Sequence, residues 1–224
     1  MLDYGCGAGL IVKELRAAQI DAFGCDVFYE GGDYSKYLED GFGGNIIKRM
    51  EDSRIPFDNG SFDFVINNQV LEHVENLDSV LSEIHRVLKP GGKVLSLFPD
   101  KSVWREGHCG IAFLHWFPKK SHLRIYYAAA LRFLGFGYHK SGKTIMNWSK
   151  DFCYWLDKWT WYRSLTEIHT TYQRYFEKTH HIEEIWLRRR LGDRDSIIRF
   201  VPTSLQQFVV RKLAGLVVVS NKAL

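Results

Sequence analysis

Four stretches near the start of the chain carry residue types that hold a ligand rather than fill a core. The first is Leu2-Asp3-Tyr4-Gly5-Cys6-Gly7-Ala8-Gly9-Leu10, an apolar residue and an acid running into three glycines on alternate positions. Glycine lacks a Cβ, so such a run turns tightly and lets a ligand come close to the main chain. Placed between a strand and a helix, it would also aim backbone N–H groups at that ligand. A dinucleotide fingerprint needs G-x-G-x-x-G; here the third glycine comes one position early, which disfavours a nicotinamide or flavin cofactor. The second element is Asp26, placed where an acid at a strand end accepts hydrogen bonds from ribose hydroxyls, although many such acids are solvated turn residues. The third is the polar loop Glu51-Asp52-Ser53-Arg54, whose acid and neighbouring amide suit the edge of a purine, or which is an ordinary surface loop. The fourth is Asn67-Asn68-Gln69, followed by Val70-Leu71-Glu72-His73-Val74. Three amides in a row are poor helix or strand material and good ligand contacts, whereas His73 alone reads more as a structural hydrogen bonder than as a base.

The elements that position these residues follow from hydrophobic period. Strands are expected at 1–4, 20–27, 45–48, 63–66 and 93–98, and helices at 10–18 and 77–88. The second helix buries Leu77, Val80, Leu81, Ile84, Val87 and Leu88, and Pro90-Gly91-Gly92 stops it. Strands alternating with helices at these lengths predict an α/β fold, a Rossmann-like parallel sheet with helices on both faces. After residue 100 the pattern changes to helices at 121–134, 148–161, 162–177 and 181–191, with Trp155, Trp159 and Tyr162 spaced to pack on one side. A helix at 203–213 and a β-branched strand at 215–220 follow, the strand returning to the sheet as an antiparallel last member. The chain thus divides into a ligand-binding α/β core (1–99), a mostly helical insertion on the acceptor side (100–195), and a segment completing the core (196–224).

Charge follows the same division. The net charge is +4, yet residues 1–100 sum to −8 and residues 101–224 to +12, and all seven tryptophans lie in the second group. Hydrophobic residues make up 46% of the chain, enough for a full core, so disorder is not expected. Cys6, Cys25, Cys109 and Cys153 form no CxxC, and no His/Cys pair has the spacing of a zinc site, so reduced thiols, a cytoplasmic location and no metal are expected. The N-terminus lacks the basic-then-apolar run of a signal peptide.

Taken in order, the motifs resemble class I S-adenosylmethionine-dependent methyltransferases. They match the subgroup that reads D-x-G-C-G-x-G, an acid after the second strand, L-P-F-x-x-x-S-F-D, L-E-H-V and L-K-P-G-G. Here these are Asp3 to Gly9, Asp26, Ile55-Pro56-Phe57 with Ser61-Phe62-Asp63, Leu71-Glu72-His73-Val74, and Leu88-Lys89-Pro90-Gly91-Gly92. The resemblance implies S-adenosyl-L-methionine as cofactor. Asp3 and the loop of Gly5, Cys6, Gly7 and Gly9 would hold its methionine part, and Asp26 its ribose. Glu51 and the amide of Asp52 would meet the adenine, with Asn67 and Gln69 near the sulfonium. It also implies a helical segment ahead of the first strand; here Met1 falls inside that strand, so the fold is N-terminally short and the region after residue 100 would supply the cover.

Methyl transfer to a hydroxyl needs a base, and histidine suits that task at neutral pH. His108, in a glycine-flanked loop, and His115 are the candidates, each with a structural role as the alternative. A fainter resemblance of the aromatic, basic insertion is to methyltransferases of bacterial surface-glycan and secondary-metabolite pathways. It implies O-methylation of a small-molecule or glycan-type acceptor that carries phosphate or a lipid. Trp186-Leu187-Arg188-Arg189-Arg190 and Lys119-Lys120 also suit an anionic membrane surface, while nucleic acid is disfavoured because no RNA-reading motif accompanies the charge. A non-catalytic partner-binding subunit and a nicotinamide-dependent oxidoreductase are the alternatives from other classes.

Overall fold

The computed structural model describes residues 1–30, 35, 44–51 and 54–224. Strand β1 (Leu2–Tyr4) runs through the glycine turn into α1 (Leu10–Ala17), and β2 (Phe23–Asp26), β3 (Ile47–Arg49) and β4 (Phe62–Asn68) follow. Helix α2 (Leu77–Val87) leads directly into β5 (Leu88–Phe98), after which come α3 (His122–Phe133), α4 (Ile145–Trp159) and α5 (Leu165–Tyr172). Strand β6 (Lys178–His181), α6 (Glu183–Leu191), α7 (Thr203–Leu213) and β7 (Leu216–Asn221) complete the order. The strands form one sheet in the order β3-β2-β1-β4-β5-β7-β6. From β3 to β5 every pairing is parallel, and β7 is antiparallel to both β5 and β6. The order reverses between β1 and β4, and a parallel sheet opens a crevice at such a reversal, outside the carboxyl ends of its strands.

Burial explains why these segments form. Leu77, Val80, Leu81, Ile84 and Val87 of α2 recur at helical spacing and all are buried against the sheet. Asn76 starts the helix, its side chain accepting the Ser79 N–H at 3.1 Å, the bond expected of a helix-capping residue. Leu2, Tyr4, Val65, Val94, Leu216 and Val218 bring the central strands into the same core, as does the α5 side with Ile168, Tyr172 and Phe176. A second, separate cluster joins Cys109, Ile111, Leu114, Ala128, Trp148, Cys153 and Leu156, so residues 109–156 carry a core of their own.

The expected division at residue 195 therefore needs correction. Residues 178–181, expected to lie within a helical region, form a sheet strand, and α5 belongs to the main core rather than to the insertion. Lys-Thr-His-His has no apolar alternation because β6 lies beyond β7 with half its side chains exposed; Thr179 is tied to Ser220 by a 2.8 Å hydroxyl contact. Pro90-Gly91-Gly92 ends α2 as expected yet stays within β5, where Gly91 N–H donates to Ala223 O at 2.9 Å and Gly92 O accepts from Lys222 N–H at 2.9 Å. Among the described residues no helix is long and apolar enough to cross a membrane.

Gly215 turns the chain from α7 into β7 at φ +114°, and a Cβ there would meet Phe98 O at 2.5 Å and Pro99 Cα at 2.7 Å. The obstructing atoms are backbone, so they cannot rotate away. Gly215→Ala should cost about 3 kcal/mol, combining left-handed strain with overpacking, visible as a lower urea midpoint with an unchanged slope.

Candidate functional site

The glycine turn is built by three positive backbone angles, φ 75° at Gly5, 52° at Gly7 and 74° at Gly9. A Cβ on Gly5 would meet Val70 Cγ2 at 2.5 Å, so only glycine lets the turn pass under the segment that follows β4. Four of the N–H groups of this turn are already engaged. Gly5 and Cys6 donate to Cys25 O, Gly9 donates to Cys6 O, and Gly7 donates to Asp26 Oδ2 at 2.8 Å. The turn thus offers close approach of its backbone, not an anion cradle, which corrects the expectation of outward-aimed amides. Asp26 Oδ1 meanwhile accepts from Phe28 N–H at 2.8 Å, so one buried carboxylate fixes both the turn and the chain leaving β2.

A cavity of about 1300 Å³ opens above this turn, at the sheet's reversal point. Gly5, Gly7, Asp26, Met50 and Gln69 form its sheet side, and Trp155, Trp159, Trp161 and Tyr162 its opposite wall. The cover therefore comes from α4 and the residues after it. Trp159 packs on Tyr29 with ring centroids 4.8 Å apart, and Lys158 reaches Glu30 at 3.0 Å, closing the wall onto the end of β2. Arg163 joins the same wall to the turn at Leu71–His73, donating to Leu71 O, Val74 O and Glu75 O.

Two histidines meet inside the cavity. His73 Nδ1 lies 2.7 Å from Trp159 O, His108 Nδ1 lies 2.5 Å from Glu106 Oε1, and the two Nε2 atoms are 3.1 Å apart. A carbonyl oxygen only accepts, so the His73 Nδ1 carries a proton. Glu106 is fully buried, but burial is outweighed by its ion pair with His108 and by bonds from Tyr162 OH and Cys109 N–H, which hold its carboxyl down at about 2. Burial pushes His73 down to about 4, whereas His108, which burial alone would lower, is raised by Glu106. Glu72 is also fully buried; desolvation raises its carboxyl to about 8, and neither oxygen has a hydrogen-bond partner among the described residues.

The structure brings together only part of the expected set. Gly5, Gly7, Asp26, Gln69 and His108 line the cavity, and Gln69 holds a left-handed φ of 57° there. Asp3 is buried beneath, at the end of β1. Gly9 caps α1, and Cys6 turns its thiol away from the cavity, into the small core with Val12, Ala22 and Ile47. Asn67 is fully buried, donates to Ser96 Oγ at 2.9 Å and does not line the cavity; it shares the core face of β4 with Val65. Glu51 is exposed on a turn with Arg54 and is not a lining residue, and Asp52 lies outside the described residues. His115 is buried behind the wall, its ring 4.5 Å from Tyr162, where burial lowers it to about 4. It props the wall rather than facing a ligand. His73, Glu106 and Tyr162 join the site as well; of these the L-E-H-V motif points only to His73.

Known proteins resemble this chain along the same lines. A family described as "Methyltransferase domain" matches residues 2–96. Residues 2–96 thus match a methyltransferase domain and have the fold of class I S-adenosylmethionine-dependent methyltransferases. The ubiquinone biosynthesis O-methyltransferase of Chelativorans sp. is 27% identical over 126 residues, covering 54% of this chain and 50% of that protein. The chain spans about half the length of the curated relatives it matches. An S-adenosylmethionine-dependent methyltransferase from Mesorhizobium loti shares the fold over 99% of this chain and 90% of its own, with TM-score 0.54 at 14% identity. So does phosphoethanolamine N-methyltransferase 2 of Haemonchus contortus, solved with S-adenosyl-L-methionine, over 100% of this chain and 48% of its own, with TM-score 0.52 at 15% identity.

The residues of this methyltransferase domain fit that cofactor. It carries no phosphate, matching a turn most of whose amides are already bonded, and its methionine part carries an ammonium, matching a buried acid. The Asp3 carboxyl is pushed up to about 7 by burial and then by repulsion from Asp26. Between its ordinary value of 3.8 and about 7, the folded protein holds a proton that the unfolded chain has released. Stability therefore falls as pH rises through that window. Asp3→Asn lacks this dependence, so its stability relative to the parent should rise by roughly 2–3 kcal/mol from pH 5 to pH 7. Urea midpoints at the two pH values measure it, and an unchanged difference would show that Asp3 ionises normally.

Proposed function

We propose that the chain transfers a methyl group from S-adenosyl-L-methionine to a hydroxyl, or an amine, of a small-molecule or glycan-type acceptor. The observation that carries this reading is a single cavity with the glycine turn on one side and the His73–His108 pair on the other, walled by tryptophans. When bound, the cofactor supplies a methyl carbon activated by the adjacent sulfonium. The chain's own residues do the rest. Asp3 holds the ammonium, and Asp26 keeps the turn in place and faces the ribose. Gln69, held by the bond from its N–H to Leu97 O at 2.7 Å, borders the reacting centre. Trp155 and Trp159 hold an apolar or sugar ring of the acceptor, and alignment of this kind accounts for much of the rate in such displacements. The proton leaving an acceptor hydroxyl is handled at the group of Glu72, His73 and His108.

Several features narrow the acceptor. The relatives named above are O-methyltransferases of ubiquinone biosynthesis, which supports a hydroxyl acceptor on a small molecule. Leu123, Tyr126 and Phe133 of α3 are exposed beside Lys119 and Lys120, a surface that suits an acceptor carrying a lipid or phosphate at a membrane face. Four free, buried thiols suit the cytoplasm.

S-adenosylhomocysteine should raise the melting temperature while NAD leaves it unchanged, because only a ligand of the native state stabilises it. Failure of the first ligand to bind in calorimetry would remove this reading. Trp155→Ala should raise the acceptor KM with S-adenosylhomocysteine affinity unchanged, whereas His108→Ala should lower kcat by ~10²–10⁴-fold. Steady-state assays with a hydroxylated aromatic acceptor separate the two.

A further inference from the structure

We infer that Glu72, His73 and His108 form a binding site for a divalent transition cation of the zinc class, open to the acceptor side of the cavity. Their ligand atoms lie within 4.8 Å of one another. The geometry of the histidine pair accommodates a cation. Trp159 O lies 2.7 Å from His73 Nδ1, and Glu106 Oε1 lies 2.5 Å from His108 Nδ1. Both oxygens are acceptors, so each Nδ1 is engaged and both Nε2 atoms turn toward each other, 3.1 Å apart. Without a metal, the proton on His108 Nε2 bridges the pair; a cation takes that proton's place, bound by both nitrogens. Two nitrogens on one tetrahedral zinc stand about 3.3 Å apart, from the usual Zn–N length of about 2.0–2.1 Å.

The third ligand is present and otherwise unexplained. Glu72 is 1% exposed, and both its carboxylate oxygens lack a hydrogen-bond partner among the described residues. Burying a carboxylate without a partner is costly, and coordination of a metal is one of the few arrangements that removes the cost. Around these ligands the outer contacts are those of a metal site. The His108 ring is oriented by Glu106, itself fixed by Tyr162 OH at 2.7 Å and Cys109 N–H at 2.8 Å, and the His73 ring is oriented by a backbone carbonyl. Such a carboxylate–histidine contact sets the tautomer and increases the basicity of the liganding nitrogen.

A second histidine pair in the same chain marks the difference. His169 and His181 also meet through their Nε2 atoms, at 2.9 Å, but their carboxylate, Glu183, is bonded to His181 Nδ1 and Arg211. That pair has no unpartnered acid and serves as an internal control. Two imidazoles and one carboxylate leave one position open, the ligand set of catalytic rather than structural zinc. His73 and His108 line the cavity, so the open position faces the acceptor. Resting here on the methyl-transfer reading, the cation would bind the acceptor's hydroxyl oxygen and lower its pKa, so that Glu72, His73 and His108 would handle the acceptor proton through the metal rather than as a free base. The hydroxyl proton would pass to water, the oxygen would bond to the methyl carbon, and the breaking carbon–sulfur bond would leave its electron pair on sulfur.

Titration of the metal-free protein with Co²⁺, followed by its visible absorption, and with Zn²⁺, followed by calorimetry, tests the site. One equivalent of each should bind, and Zn²⁺ should displace Co²⁺. His108→Ala and Glu72→Gln should each weaken binding at least tenfold, Glu106→Gln should weaken it by roughly 10–100-fold as an orienting residue, and His169→Ala should leave it unchanged. Glu72→Gln replaces a buried, unpartnered acid with a neutral group of the same shape, so without metal its melting temperature should equal or exceed the parent's. Loss of Co²⁺ binding by a variant that is no less stable therefore reports ligation rather than unfolding. Absence of uptake, or uptake unaffected by Glu72→Gln and His108→Ala, would overturn the site. Metal uptake without S-adenosylhomocysteine binding would remove the methyl-transfer reading and leave the metal site standing; the reverse result would do the opposite.

Discussion

The Arg163 guanidinium is the contact on which the cavity depends. It donates to Leu71 O at 3.2 Å, Val74 O at 2.5 Å and Glu75 O at 2.7 Å, and also to Trp161 O in its own segment. Leu71 O also accepts from Val74 N–H at 3.4 Å, so the guanidinium gathers the carbonyls of a turn that its own backbone satisfies only in part. Trp161 N–H adds a bond to Glu72 O at 2.7 Å, and His73 bonds to Trp159 O. One side of this seam is the loop after β4, in the sheet; the other is the end of α4, in the aromatic region. Without the seam neither the tryptophan wall nor the histidine pair would have a fixed distance from the glycine turn.

Electrostatics around the cavity follow from how each acid is satisfied. Asp26 and Glu106 are buried and have donors, and both act as fasteners, one for the glycine turn and one for the His108 loop. Asp3 and Glu72 are buried without equivalent compensation, and burial raises both carboxyls. These two acids lie at different ends of the site, one under the glycine turn and one beside the histidines. Each is a place where a positive charge would remove an existing cost, and that asymmetry distinguishes holding a ligand from holding the fold.

Much of this was legible in the sequence, and the misses have physical reasons. The sheet through β5 follows from period and punctuation, because Gly5, Gly7 and Gly9 and the apolar face of α2 each allow one local structure. Strand β6 was missed because at the sheet margin a strand need not alternate apolar residues, and Lys-Thr-His-His does not. The run of three amides suggests ligand contact for Asn67, but the two-residue period from Val65 places it on the core face, where it donates to Ser96 Oγ, which in turn accepts from Tyr172 OH. The histidine pair joins positions 35 residues apart, set by the docking of two elements that no local pattern relates. The glycine-flanked loop points to His108, and its contact with Glu106, which no local pattern reveals, is what makes it distinctive.

The antiparallel placement of β7 also constrains the order in which the molecule can assemble. Among the described strands β6 touches only β7, and β7 comes from residues 216–221, far along the chain from β5 at 88–98. Pairing them closes a loop of more than a hundred residues, a slow event because the chain entropy is lost before the contacts form. Until then β6 has no sheet to join, although α5, which leads toward it, already packs on α2. The antiparallel margin of the sheet is therefore a late product of folding, completed after the glycine turn and the first five strands have taken shape. A ribosome-bound or truncated chain that lacks β7 would display the parallel sheet without that margin.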